Sequence, residues 1–209
     1  MNYKVLSLKW RPQTFNEVVG QKHITQSLEN ALKLDRISHA YTFCGPRGVG
    51  KTTTARILAK QLNNIDSIDN NFDIFEMDAA SNRGIDEIRT LRENVKILPI
   101  NGKYKIYIID EVHMLTKEAF NALLKTLEEP PEYVVFILAT TDPYRLPATI
   151  LSRTQRYDFK RISANDIVNQ LKLILEKEKI KYELPSLELI AYKADGSMRD
   201  ALSYLDQVI

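Results

Sequence analysis

The octapeptide Gly45-Pro46-Arg47-Gly48-Val49-Gly50-Lys51-Thr52 restricts the possible folds more than any other stretch of this chain. It satisfies the phosphate-loop pattern G-x-x-x-x-G-K-[ST] at every fixed position. A β-prone segment, His39 to Cys44, leads into it, and Ala55, Leu58, Ala59 and Leu62 mark one face of a helix leading out. Glycines at these positions let backbone N–H groups turn inward around an anion, and the following helix points the positive end of its dipole at the same place. Lys51 is the candidate contact for terminal phosphates, and the Thr52 hydroxyl for Mg²⁺. Gly45 through Thr52, with Thr53 in the first helical turn, form the candidate nucleotide-binding set. An ordinary glycine-rich turn is the competing reading, and it leaves the strand before and the helix after unexplained.

A second nucleotide element fits the first. Ile106-Tyr107-Ile108-Ile109 is an apolar strand ending in Asp110-Glu111, and open α/β sheets place ligands at the carboxyl ends of their strands. Asp110 is a candidate to hold Mg²⁺, and Glu111 to orient and deprotonate a water. Negative charge growing on a transferred phosphate needs cations, and Arg153 and Arg199 are candidates. Taken singly, either arginine reads as a solvated surface charge. Thr141 ends the next buried strand and is a candidate donor to phosphate or water; a plain strand-end hydroxyl is the alternative. His113 has no His or Cys partner at ligand spacing and reads as structural rather than metal-binding. Cys44 reads as a small buried hydrophobe.

Along the chain, residues 1–20 read as an extended arm with Trp10 and Phe15 as core, followed by a helix carrying Ile24, Leu28, Ala31 and Leu32. After the phosphate-loop helix comes a polar connector, Asn63–Asn71, expected on the surface. A short strand at Asp73–Met77, a helix with Ile85, Ile88, Leu91 and Val95, and the strand Tyr104–Ile109 follow. Thr116 is a plausible N-cap for the next helix, which Pro130-Pro131 ends. Tyr133–Ala139 is another buried strand, and Gln155–Phe159 reads as the last. Strands alternating with helices predict a parallel sheet in a three-layer α/β domain, residues 1–161. From residue 162 only helical patterns remain, near Ala164–Lys179, Ser186–Lys193 and Ser197–Ile209, so 162–209 reads as a small all-helical lid, incomplete at its end.

Composition sets the outer limits. A hydrophobic fraction of 44% is typical of a globular protein, and a net charge of +2 does not by itself announce a nucleic-acid binder. The single cysteine excludes an internal disulfide and a multi-cysteine zinc site within these 209 residues. The longest apolar run, Tyr133 to Ala139, is far too short to span a bilayer, and lysines and arginine interrupt the start where a signal peptide would lie. A cytoplasmic protein is expected.

Together these pieces resemble the N-terminal region of the bacterial DNA polymerase III gamma/tau family, over nearly the whole chain. The resemblance is carried by Lys9-Trp10-Arg11-Pro12, Val18-Val19-Gly20-Gln21, His39-Ala40-Tyr41 with the phosphate loop, Asp78-Ala79-Ala80-Ser81 and Asp110-Glu111-Val112-His113-Met114-Leu115. It continues through Leu124 to Pro131, Ala139-Thr140-Thr141-Asp142-Pro143, Ser152-Arg153 and Gly196-Ser197-Met198-Arg199-Asp200-Ala201. It implies an AAA+ ATPase domain with a helical lid, using ATP and Mg²⁺, in the motor subunit of a clamp loader that places a sliding clamp on primer–template DNA. It implies that Arg11, Pro12, Val18 and Val19 line the adenine pocket and that Thr141 is sensor 1. Arg199 would be sensor 2, and Arg153 the finger given in trans to the next subunit. The implied partners are delta, delta-prime, further gamma/tau copies, the clamp and DNA, with no membrane. The family usually has a four-cysteine zinc module where Asn63–Asn71 lies here, so zinc is not expected. It usually has Cys where Thr154 stands, a change expected to matter little. The family's C-terminal collar domain is not part of these 209 residues, so no stable pentamer is expected of them alone. Two other readings remain at this stage: a motor acting directly on nucleic acid, such as a Holliday-junction helicase ATPase, and a nucleotide-bound scaffold that does not hydrolyse.

Overall fold

The computed structural model describes residues 4–69 and 71–209. Five strands form one wholly parallel sheet: β1 (Ala40–Cys44), β2 (Ile74–Asp78), β3 (Lys105–Asp110), β4 (Val134–Thr140) and β5 (Gln155–Asp158), in the order β2-β3-β4-β1-β5. The three central strands are apolar on both sides, and successive residues serve opposite layers, as a two-fold alternation of side chains requires. Ile106, Ile108, Val135 and Ile137 pack under helices α2 (Lys22–Lys33) and α3 (Lys51–Asn63). Tyr107, Ile109, Phe136 and Leu138 pack under α4 (Ile85–Val95) and α5 (Lys117–Glu128). This is the expected three-layer arrangement. Thr116 caps α5, its hydroxyl accepting from the Ala119 amide at 3.2 Å.

After the one-turn α6 (Ala148–Leu151) and β5, three helices follow: α7 (Ala164–Glu178), α8 (Leu184–Ala194) and α9 (Met198–Val208). They bury a cluster of their own around Ile167, Leu171, Ile174, Leu187 and Leu205. Ser163 caps α7 and Ser197 caps α9, each accepting from the amide three residues on. Among the described residues no helix is long and apolar enough to cross a membrane.

Three expectations change. The N-terminal arm is not wholly extended: α1 (Leu6–Lys9) is helical and Phe15–Glu17 forms a 3₁₀ turn. Leu6 packs into the helical cluster, and the Leu6 amide donates to Asp206 of α9 at 3.1 Å. Phe15 is core, but Trp10 is only half-buried, its indole N–H donating to Glu178 of α7 at 2.8 Å. Asn63 does not open a surface loop. It is the buried last residue of α3, donating to the Tyr104 carbonyl and accepting from the Tyr104 amide, both at 2.8 Å. Of the connector read as Asn63–Asn71, Asn70 lies outside the described residues.

Asp73 is a structural residue that no motif announces. It is fully buried before β2, and its carboxylate accepts from the amides of Ile100, Asn101 and Gly102 at 2.6–2.7 Å. Burial alone would raise its pKa, but the three amides and Lys105 outweigh burial and hold the carboxyl below its usual value. Asp73→Ala strands three donors, and since water can reach the exposed Ile100 and Asn101, the expected loss is about 2 kcal/mol, or a fall in Tm of roughly 4–8 °C. A depressed native pKa stabilises above the unfolded value near 3.9 and ceases to do so as pH falls through the native value. The wild type should therefore lose its advantage over Asp73→Ala in acid, which unfolding curves at pH 7 and pH 3 would check.

Candidate functional site

The carboxyl ends of β1, β4 and β3 lie side by side, with Cys44 level with Thr140 and Ile109 level with Leu138. The phosphate loop leaves β1 at this edge. Gly50 caps α3 with φ 103°, and Gly48 has φ 74°, both in the left-handed region that glycine adopts without strain. Gly48 is constrained twice, because a Cβ there would collide with the Ser197 hydroxyl at the start of α9. The Gly48 carbonyl accepts from the amides of Met198 at 3.0 Å and Arg199 at 3.4 Å. The lid helix is thus hydrogen-bonded to the loop's own backbone.

Lys51 is 6% exposed and its ammonium donates to the carbonyls of Gly45 and Pro46, both at 2.8 Å. Burial pushes its pKa down; Glu111 and Asp110 pull it up, and Arg199 adds to the lowering. Among the described residues it is a buried cation hydrogen-bonded to neutral groups alone, the electrostatic condition under which an arriving anion is most welcome. The Thr52 hydroxyl donates to Asp110 Oδ2 at 2.6 Å. A hydroxyl and a carboxylate side by side are the hard oxygen donors that Mg²⁺ prefers.

Glu111 sits in the left-handed region, φ 47°, which is uncommon for a residue with a Cβ. Its amide donates to Asp110 Oδ1 at 2.9 Å. Its Oε2 accepts from the Thr141 amide at 3.1 Å and the Thr141 hydroxyl at 2.8 Å. The local twist aims the carboxylate across β3 toward the end of β4.

One cleft gathers most of the candidates. Arg11, Pro12, Val18 and Val19 form one wall, Arg47 through Thr53 the floor, Asp110 and Glu111 one end, and Arg199 reaches in from the lid. Gly45 and Pro46 contribute through the carbonyls that hold Lys51, and Thr141 through Glu111. Arg11 is half-buried, and burial first, then Arg56 and Arg199, lower its pKa. Arg153 does not line this cleft. It lies at the end of α6, donating to the Thr149 carbonyl at 2.9 Å and to Glu128 of α5 at 3.1 Å. Cys44 is buried at the strand end, and burial pushes its thiol pKa up.

Sequence reasoning assigned Gln21 no role beyond its place in the Val18-Val19-Gly20-Gln21 motif and did not single out Gln170. Gln21, fully buried, donates to the Lys160 carbonyl at 2.7 Å and the Val49 carbonyl at 3.5 Å, and accepts from the Lys160 amide at 3.2 Å. It fastens the segment leading to the lid onto the phosphate loop. Gln170 of α7 lines the cleft beside Ile162, Met198 and Leu202. Neither carries a local signal, because both act only once the lid has folded back.

Fold and cleft together define a nucleotide-binding P-loop domain of the AAA+ class under a helical lid. A family model described as "DNA polymerase III, delta subunit" matches residues 20–73 and 64–163. One described as "DNA polymerase III clamp loader subunit, ATPase lid domain" matches 166–209. The chain belongs to the family of DNA polymerase III clamp-loader subunits. It is 53% identical to DNA polymerase III subunit tau of Bacillus subtilis and 51% identical to that of Escherichia coli, covering 100% of this chain in both and 40% and 35% of those relatives. Against DNA polymerase III subunit gamma of Buchnera aphidicola (subspecies Baizongia pistaciae) it is 47% identical, again over its whole length and 61% of the relative. The chain thus spans between 35% and 61% of the length of these relatives. Among solved structures it resembles Thermotoga maritima RuvB, the Holliday junction branch migration motor, with TM-score 0.75 and 22% identity over 95% of this chain and 64% of that one. Identity that low speaks to the fold.

Proposed function

We propose that this chain binds and hydrolyses ATP with Mg²⁺ as a motor subunit of the DNA polymerase III clamp loader. The observation that carries the reading is the meeting, in one cleft, of Lys51, Thr52, Asp110 and Glu111 from residues 1–161 with Arg199 from 162–209. We take these two segments as the working domains. A nucleotide held between them would be gripped from both, so binding and loss of the γ-phosphate would change the lid angle.

Each residue then has a role. The loop amides and Lys51 hold the phosphates. Arg11, Pro12, Val18 and Val19 close around the base. Thr52 and Asp110 hold Mg²⁺ directly or through water, and the ion, when bound, supplies charge neutralisation on the phosphate oxygens. Glu111 takes a proton from the attacking water, and Thr141 orients Glu111. Arg199 stabilises phosphate charge from the lid, and Arg153 does so at the site of a neighbouring subunit. The resulting ring, with delta, delta-prime and further gamma/tau copies, would open a sliding clamp and close it on primer–template DNA in the cytoplasm. Acid pair, lysine and threonine are all in place, which favours a working ATPase over a scaffold that only holds nucleotide.

Lys51→Ala tests the site. Each charge-assisted hydrogen bond lost from the phosphates is worth about 1.5–3 kcal/mol, so ATP affinity should fall roughly 10- to 100-fold, and turnover with it. Titration with a fluorescent ATP analogue would read this. Wild-type affinity in the variant would move the phosphate site elsewhere. In the complete loader, the same variant should leave primed DNA without clamp.

A further inference from the structure

His113, the one histidine next to the acidic pair, packs against the end of β4 beside Glu111. Val112–Met114 is a single 3₁₀ turn whose first residue, Val112, is fully buried. The left-handed turn at Glu111 brings this helix back against the end of β4. The His113 side chain is 9% exposed, and its Nδ1 lies 2.9 Å from Thr140 Oγ1 and 3.4 Å from Glu111 Oε2. Thr140 Oγ1 also accepts from the Asp142 amide at 3.0 Å. A carboxylate only accepts, so the approach of Nδ1 to Glu111 is attractive when Nδ1 carries the proton. That N–H then makes its hydrogen bond with the Thr140 hydroxyl, and Glu111 Oε2 lies beside it as an electrostatic contact.

The consequence lies in how the two carboxylate oxygens are divided. Oε2 is surrounded by the Thr141 amide, the Thr141 hydroxyl and His113 Nδ1. Oε1 makes no protein hydrogen bond among the described residues. We propose that His113 is a positioning residue for Glu111: together with Thr141 it pins Oε2 to the end of β4 and so leaves Oε1 as the one oxygen free to take a proton from water. This rests on the reading of Glu111 as the general base. It adds a second anchor on a different element from Thr141. With two anchors the carboxylate can neither swing nor exchange its oxygens, and a misplacement of about 1 Å at such a group costs up to about a hundredfold in rate.

The anchor is Nδ1, not the ring as a whole, and this separates positioning from packing. An Asn amide nitrogen can take the place of Nδ1, a Gln amide reaches instead toward Nε2, and Leu fills the volume with no donor. In the assembled clamp loader, His113→Asn should keep most of the ATPase kcat. His113→Gln and His113→Leu should lose about tenfold or more, all three with KM for ATP and nucleotide Kd unchanged. Glu111→Gln is measured in parallel. If Glu111→Gln is inactive while His113→Leu turns over at the wild-type rate, the positioning role is overturned and the base reading stands. If kcat of the three His113 variants follows their Tm rather than the presence of a donor at Nδ1, His113 is a packing residue and the proposal fails. If Glu111→Gln retains wild-type turnover, the base is elsewhere, and the proposal falls with it.

Discussion

Glu111→Gln should reduce ATP turnover by about 10²–10⁴-fold while ATP binding stays near wild type. The amide keeps the size of the carboxylate and one accepting oxygen, so the contact with the Thr141 hydroxyl at 2.8 Å can persist. The backbone should not relax either, since the left-handed turn is fixed by the Glu111 amide on Asp110 Oδ1 at 2.9 Å rather than by the side chain. In the proposed site the phosphates would be held by the loop and Lys51 and the metal by Thr52 and Asp110, none of which the substitution changes. What disappears is the ability to accept a proton. Single-turnover hydrolysis and equilibrium nucleotide binding, measured on the same preparation, separate the two effects. A variant that binds less ATP but hydrolyses it at the normal rate would show that Glu111 serves binding, and the base would have to be sought elsewhere.

The parts of this site that could be read in the sequence are those whose signal is local. The phosphate loop lies between a strand and a helix, and both were visible from their own residues. β3 and β4 announced themselves as almost continuous apolar runs, because a parallel strand covered on both faces has no polar side. Thr116 was readable as a cap, because a cap bonds to an amide only three positions on. What could not be read depends on distant partners. Asn63 looks like the start of a polar connector until it meets Tyr104, 41 residues away. Gln21 stands in the Val18-Val19-Gly20-Gln21 motif without a visible task until it meets Lys160, 139 residues away. Asp73 sits in an unremarkable polar stretch, and only the folded turn at Ile100–Gly102 gives its carboxylate a purpose. The four-residue α1 was missed for another reason: a single turn is too short to display a 3.6-residue period. His113 shows the same limit in the site itself. Its spacing gave no His or Cys partner, but that Nδ1 faces Thr140 follows from the reversal at Glu111, which no residue type predicts.

Arg153 carries the second large prediction, because the structure separates it from its own cleft. Its guanidinium rests on Thr149 and Glu128 at the end of α6, and the pair with Glu128 is half-exposed. Such a surface pair is worth at most about 1 kcal/mol, so it is easily given up for a phosphate on a neighbouring subunit. Arg153→Ala should therefore leave folding and ATP affinity intact and, in the assembled loader, lower turnover by about 10³-fold or more, the range an arginine finger supplies. The test that separates trans from cis action is complementation. An Arg153→Ala subunit retains Glu111 but offers no finger, and a Glu111→Gln subunit retains the finger but has no base. Each assembly made of one variant alone should be nearly inactive. Mixed before assembly, some Arg153→Ala sites acquire an intact Arg153 from a Glu111→Gln neighbour, and turnover should recover to a sizeable fraction of wild type. Recovery requires that the arginine crosses a subunit boundary, since neither chain carries both groups. A mixture as inactive as its components would place Arg153 in its own subunit's chemistry or in assembly. The same logic makes wild-type turnover per molecule rise with concentration, because a dilute subunit has Lys51, Asp110 and Glu111 but no neighbour to complete the charge balance around its phosphate.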